Sequence, residues 1–206
     1  MFEKNIFINC PFDDEYEELL RPLLFFIVYH DFTPQIANQT SDSSESRLQK
    51  ICKLIKKSKY SIHDISRLRC SKNDEFYRLN MPFELGIDYA HRRIGQGRLQ
   101  EKKLLVLEKE RYDYQKALSD LAGSDIKHHG NEPTKIISRL RKWFVETLGS
   151  RGLKSPTKIW ELFNEFMADF YRKRKEEGFS EEDILDISIP EFIDNIRMWK
   201  KDLPDR

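Results

Sequence analysis

The sequence predicts an α/β fold: a mostly parallel sheet flanked by helices, followed by an all-helical C-terminal extension. Three observations predict it. Short apolar, β-branched runs alternate with helical patterns from the N-terminus to Gly149, and such alternation marks strand–helix–strand units whose sheet is covered on both faces. The strand runs, "NIFINC" and "KKLLVLE" above all, are almost continuously apolar where they must be buried. Beyond "SRGLKSPTK" strand patterns stop and only helical spacing remains. The chain therefore divides into an α/β domain at residues 1–149 and a helical extension at residues 150–206.

In order, "NIFINC" is a buried strand ended by Pro11. "DDEYEELLRPLLFFIVYH" is a helix with acids in its first turn, and Pro22 is expected to bend it or mark a second start. "FTPQIAN" is a weaker strand and "TSDSSES" a polar loop. "SRLQKICKLIKKSK" sets Leu48, Ile51 and Ile55 on one helical face, and "YSIHDIS" is the next strand. After the loop "RLRCSKNDEFYRL" a helix runs from about Asn80 to Arg93, with Phe83, Ile87, Ala90 and Ile94 as its expected core stripe. "KKLLVLE" is a strand, "DYQKALSDLAG" a short helix closed by Gly123, and "SDIKHHG" a last short strand. "NEPTKIISRLRKWFVETLG" is an amphipathic helix with Asn131 near its cap and Gly149 at its stop.

In the extension, Ile159, Phe163, Phe166 and Phe170 form one stripe, and Gly178 ends that helix. Ser180 with Asp183 has the form of a capping box. A second stripe follows at Ile189, Phe192, Ile193, Ile196 and Trp199. Both stripes need cover, from the α/β body or from a second copy.

Composition narrows the function. Of 206 residues, 36 are Lys or Arg and 35 Asp or Glu, a net charge of +1, so no broad attraction to nucleic acid or to a membrane surface is expected. Cys10, Cys52 and Cys70 are odd in number and scattered, which disfavours a disulfide framework or zinc site and suggests a reducing cytoplasm. "LLFFIVY" falls well short of the ~20 apolar residues that span a bilayer. The adjacent His128 and His129 face opposite ways in a strand and lack further ligands, so no metal is expected.

In a parallel sheet, ligands bind where segments leave the carboxyl ends of the strands. Three segments of this sequence reach that edge: "NCPFDD", "HDISR" and the start of "NMPFELG". Glu84 is the candidate catalytic group, with Asp88 one turn further along the same side. Its competing explanation is a first-turn acid that only complements the helix dipole. Asn9 is suited to hydrogen-bond a sugar or amide and Phe12 to stack on a planar ring, with Asp13 beside them. Arg47 opens a helix, where its charge opposes the dipole unless a phosphate offsets it. Asp64 and Ser66 lie at a strand end and Asn80 is a helix-cap candidate. His63 should point away from its strand neighbours, as a histidine packed under a helix.

"FINCPFDDEY", "SIHDISR" and "NMPFELGIDYA", in this order, resemble a bacterial family of TIR-like proteins within the Rossmann-like group of TIR NAD hydrolases and nucleoside 2-deoxyribosyltransferases. The resemblance covers roughly residues 5–145 and implies a TIR-like or flavodoxin-like fold. In both enzyme branches a glutamate near the start of the corresponding helix acts at the anomeric carbon of a ribose, a role that maps onto Glu84. The "D-x-G-T" that precedes this glutamate in the transferases is missing from the sequence. The resemblance implies an NAD-consuming hydrolase that cleaves the nicotinamide–ribose bond, with NAD as substrate and no cofactor. Such a protein would act in bacterial anti-phage defence, held off until assembly, with the C-terminal helices joining copies or a partner chain. Two alternatives stand: a non-catalytic nucleotide-binding sensor, and a nucleoside deoxyribosyltransferase or nucleotide N-glycosidase, which needs a proton donor such as Asp64 or His63.

Overall fold

A computed structural model describes residues 2–39, 42–68 and 79–203 of the chain. The predicted loop at residues 69–78, Cys70 included, and the first two residues of "TSDSSES" lie outside these.

Five strands form one all-parallel sheet: β1 (Asn5–Asn9), β2 (Thr33–Gln35), β3 (Tyr60–Asp64), β4 (Lys103–Glu108) and β5 (Lys127–His128). Their spatial order is β2-β1-β3-β4-β5. Order reverses between β1 and β3, the place where ligands generally bind outside the carboxyl ends of a parallel sheet. In register there, Asn9 lies beside His63.

The helices are α1 (Asp14–Tyr29), α2 (Arg47–Lys57), α3 (Asn80–Ile94) and α4 (Pro133–Glu146). The extension adds α5 (Pro156–Glu176), α6 (Glu181–Leu185) and α7 (Ile189–Lys201). Strand residues of one parity, Ile6, Ile8, Ile62, Leu105 and Leu107, meet residues of α1, α4, α5 and α7 in a single apolar cluster. Residues of the other parity, among them Phe7, Leu104 and Val106, face α2 and α3. The pleat thus sorts the sequence onto two sides.

The extension's two stripes are covered by the chain itself. Phe25 of α1 lies 5.6 Å from Phe163, 5.5 Å from Phe166 and 5.9 Å from Trp199, centroid to centroid. Arg21 of α1 donates to the carbonyls of Ile184 and Leu185 at 3.3 and 2.9 Å, tying down the end of α6. The capping box forms as expected: Ser180 Oγ accepts from the Asp183 N–H, and the Asp183 carboxylate accepts from the Ser180 N–H.

Several local expectations are corrected. α1 is one helix through Pro22, with no second start. "DYQKALSDLAG" forms two 3₁₀ turns, Asp113–Lys116 and Ser119–Leu121, rather than a helix. Asn131 does lie next to the cap of α4, which is Glu132, and takes a left-handed conformation at φ 56°. α5 begins at Pro156 behind a Ser155 cap, inside the expected linker.

The largest correction concerns α3. Most of the expected core stripe faces outward: Phe83 is 58% and Ile94 82% exposed and Ala90 is exposed, while Ile87 is half-buried against Phe7, Ile51 and Ile55. Met81, Glu84, Leu85 and Asp88 form the buried face instead. Met81 and Leu85 pack with Ile65, Leu68 and Tyr114, while Asp88 meets polar partners beneath the helix. A paired acid can occupy a core position as well as an apolar group can, and apolar periodicity alone cannot register that.

Candidate active site

Glu84 is the fifth residue of α3, behind a Leu79 cap that makes no side-chain hydrogen bond. It therefore lies in the second turn, not the first as the sequence suggested. The dipole effect fades within the first turn, so dipole complementation does not account for this acid. Glu84 is 8% exposed, and among the described residues its carboxylate takes part in no hydrogen bond or ion pair. Burial pushes its pKa up to about 7, against a smaller downward pull from the Arg47 charge. A buried carboxyl without a partner is costly to retain for stability alone.

Arg47 is the first residue of α2, exposed, and donates to Asn38 Oδ1 at 2.9 Å. Asn80 is exposed at the first position of α3. Arg47, Asn80 and Glu84 thus come from helices whose N-terminal ends leave the carboxyl edge of the sheet. The fold brings these three together at the start of α3, where the Arg47 charge acts on Glu84.

The other predicted residues have different surroundings. Asn9 is 2% exposed, and its amide donates to the Met81 carbonyl at 2.9 Å and to His63 Nδ1 at 3.0 Å. Asp13 caps α1, accepting from the Tyr16 N–H at 3.1 Å, and pairs with Arg67 at 2.8 Å. Phe12 is half-buried against the main core.

Asp64 does not face α3, the helix that carries Glu84. It has the parity of Ile62, so the pleat turns it toward α1, while His63 turns toward α3. Asp64 is fully buried and surrounded by four donors: Tyr16 Oη at 2.6 Å, the Ser66 N–H at 2.9 Å, the Ser66 hydroxyl, and His129 Nε2 at 3.1 Å. Burial alone would raise its pKa. The hydrogen bonds from His129, Ser66 and Tyr16 outweigh burial and hold the carboxyl below its ordinary value. With its lone pairs engaged, Asp64 fixes the strand end and is not free to contact a ligand.

Ser66, His129 and Asp64 have the composition of a nucleophilic triad, but not its wiring. His129 Nδ1 accepts the Asn131 N–H at 3.0 Å, so the ring's proton sits on Nε2. Nε2 is also the atom 2.8 Å from Ser66 Oγ and 3.1 Å from Asp64. A histidine that donates toward serine cannot accept its proton. The cluster therefore clamps β3, β5 and α1 together.

Sequence reasoning missed Tyr16 and His129 as members of this clamp, and Lys102, which is fully buried below α3. The signal for His129 was its place just beyond β5, at the same sheet edge as Asp64. Open concavities of about 580 Å³ between α1 and α6 and of about 390 Å³ beside α7 lie away from Glu84. Among the described residues, no group of three or more His, Cys, Asp or Glu side chains converges as metal ligands, and no helix is long and apolar enough to cross a membrane.

Compared with known proteins, the chain matches no protein-family model and no curated protein.

Proposed function

We propose that the protein hydrolyses NAD at the nicotinamide–ribose bond, with Glu84 as the group that meets the reacting sugar carbon. One observation carries this reading: a mostly buried carboxyl without a hydrogen-bonding partner among the described residues, at the carboxyl edge of a parallel sheet, with its pKa pushed up to about 7. Perturbed acids of this kind cluster where chemistry is done.

Cleavage at ribose passes through an oxocarbenium-like state, and a fixed carboxylate stabilises that charge or traps it covalently. Nicotinamide leaves without needing a proton, because its ring nitrogen is already positive in NAD. That same charge, once docked, favours the ionised form of Glu84 just where burial had disfavoured it. Arg47 and Asn80 are exposed near the start of α3, and their chemistry suits pyrophosphate and ribose hydroxyls. NAD is substrate here, not cofactor. In a bacterial cell such turnover would deplete NAD, in keeping with the defensive role that the resemblance to TIR-like proteins implies. With the α5 and α7 stripes already covered, any association through the extension would have to use its outer faces, where Leu185 and Met198 are exposed among polar groups.

A second reading is favoured by the raised pKa itself. A carboxyl near 7 is half protonated at neutral pH and is suited to donate a proton to a departing base, as a nucleoside transferase or N-glycosidase requires. Concentrated protein incubated with NAD, and separately with nucleosides, while free nicotinamide and free base are followed, decides between them. Nicotinamide release abolished in Glu84→Gln supports the first reading, and release of free base supports the second. Turnover that survives Glu84→Gln removes Glu84 from the mechanism, and saturable binding without turnover leaves the sensor.

A further inference from the structure

We infer that Asn9, His63, Asp88 and Lys102 form a buried polar clamp whose task is to fix the rotation of α3, making them positioning residues for Glu84. The inference rests on the reading of Glu84 as the reacting carboxyl. Its geometry, however, can be tested apart from turnover.

The clamp can be traced proton by proton. The Met81 carbonyl at 2.9 Å requires the Asn9 amide nitrogen on that side, and the same nitrogen lies 3.0 Å from His63 Nδ1. His63 Nδ1 is therefore an acceptor, and the ring's proton sits on Nε2, 3.0 Å from Asp88 Oδ2. The other Asp88 oxygen lies 3.1 Å from Lys102 Nζ, in an ion pair rather than a well-aligned hydrogen bond. Lys102 also donates to the carbonyls of Ile55, at 2.9 Å, and Ser58, at the C-terminal end of α2. His63, Asp88 and Lys102 are all fully buried.

Two features give this network a purpose beyond holding the core. It grips α3 at Met81 and at Asp88, three residues before Glu84 and four after it, on the same buried face. It also holds inward the face that apolar spacing would have turned outward, leaving Phe83 and Ile94 in solvent. A buried ion pair is often no more stabilising than well-packed apolar groups of the same size, so its retention is explained by the geometry it imposes. Without the clamp, hydrophobic burial favours rotating Phe83 and Ile94 inward, which carries Glu84 off the buried face and into solvent.

The test replaces both charges together, Asp88→Leu with Lys102→Met, so that neither is orphaned and net charge is unchanged. Asp88→Asn serves as a milder second variant and supplies the same readouts if the double variant does not fold. Folding is followed by thermal melting, and Glu84 directly by ¹³C titration of its side-chain carboxyl. The expected result is a folded variant whose Glu84 midpoint falls from about 7 by one pH unit or more as the side chain reaches water. With NAD, kcat is expected to fall at least tenfold with little change in KM. A folded variant whose Glu84 titration matches the unaltered protein overturns the inference, since the network would then be structural only. If the unaltered protein releases no nicotinamide, the functional reading fails, while the titration still decides the positioning role.

Discussion

The backbone N–H of Asn131 donates to Nδ1 of His129 at 3.0 Å, and this one contact decides what Ser66 can do. It places the imidazole proton on Nε2, facing Ser66 and Asp64. We expect ¹⁵N spectra to show His129 as the Nε2–H tautomer. We also expect Ser66 to resist labelling by a fluorophosphonate, which phosphonylates activated serines with loss of fluoride. Stoichiometric labelling would mean that the histidine acts as a base after all.

Tyr16→Phe should destabilise the protein by about 1.5–3 kcal/mol at neutral pH, the usual worth of a hydrogen bond to a charged group. It removes the 2.6 Å donor from Asp64. The sign with pH follows from the lowered Asp64 pKa: its stabilisation is present above the unfolded value, near pH 4, and is lost as pH falls through the folded one. Denaturant melts at pH 7 and pH 3 should therefore show the penalty shrinking in acid.

Glu84 should behave in the opposite sense. Its folded pKa, about 7, lies above the unfolded value, so ionising it costs stability progressively as pH rises from about 4.5 through 7. Glu84→Gln is expected to stabilise the protein at pH 8 by about 1–2 kcal/mol, a figure discounted for partial screening by solvent. At pH 4 the gain should vanish. Equal melting shifts at both pH values would contradict a mostly buried carboxyl whose ionisation burial disfavours.

The pH dependence of turnover separates the two proposed chemistries. A carboxylate that stabilises the sugar cation gives nicotinamide release that rises with pH through about 7. A protonated Glu84 acting as general acid gives base release that falls over the same range.

Lys102→Ala should cost about 3–5 kcal/mol, because it leaves Asp88 buried without its counter-charge. It also strips two carbonyls at the end of α2 of their donor. Chemical denaturation measures this directly, and a loss below 1 kcal/mol would show the pair to be solvated.

The inverted face of α3 gives a simple contrast. Ile94→Lys should change stability by no more than about 0.5 kcal/mol, whereas Leu85→Ala should cost about 2–5 kcal/mol. Sequence periodicity expects the reverse order, so thermal melts of these two variants judge the face assignment.

Much of the fold was legible in the sequence. The strands at "NIFINC", "YSIHDIS" and "KKLLVLE", the Ser180–Asp183 capping box and the apolar stripes of α5 and α7 all follow from local spacing. Backbone hydrogen bonding imposes those periods within a few residues, so a short window of sequence is enough to read them. Glu84 was legible as a candidate too, because it lies near the start of the helix that follows β3, at the carboxyl edge of the sheet.

Tertiary structure alone decided the rest. Asn9 meets Met81 across 72 residues, His129 meets Ser66 across 63, and Asp88 meets His63 across 25. Pairings between polar groups so far apart have no period to reveal them, yet they choose which side of α3 is buried. Local geometry determines where helices and strands form. The satisfaction of buried donors and acceptors, possible only once distant segments meet, determines which way their chemistry points.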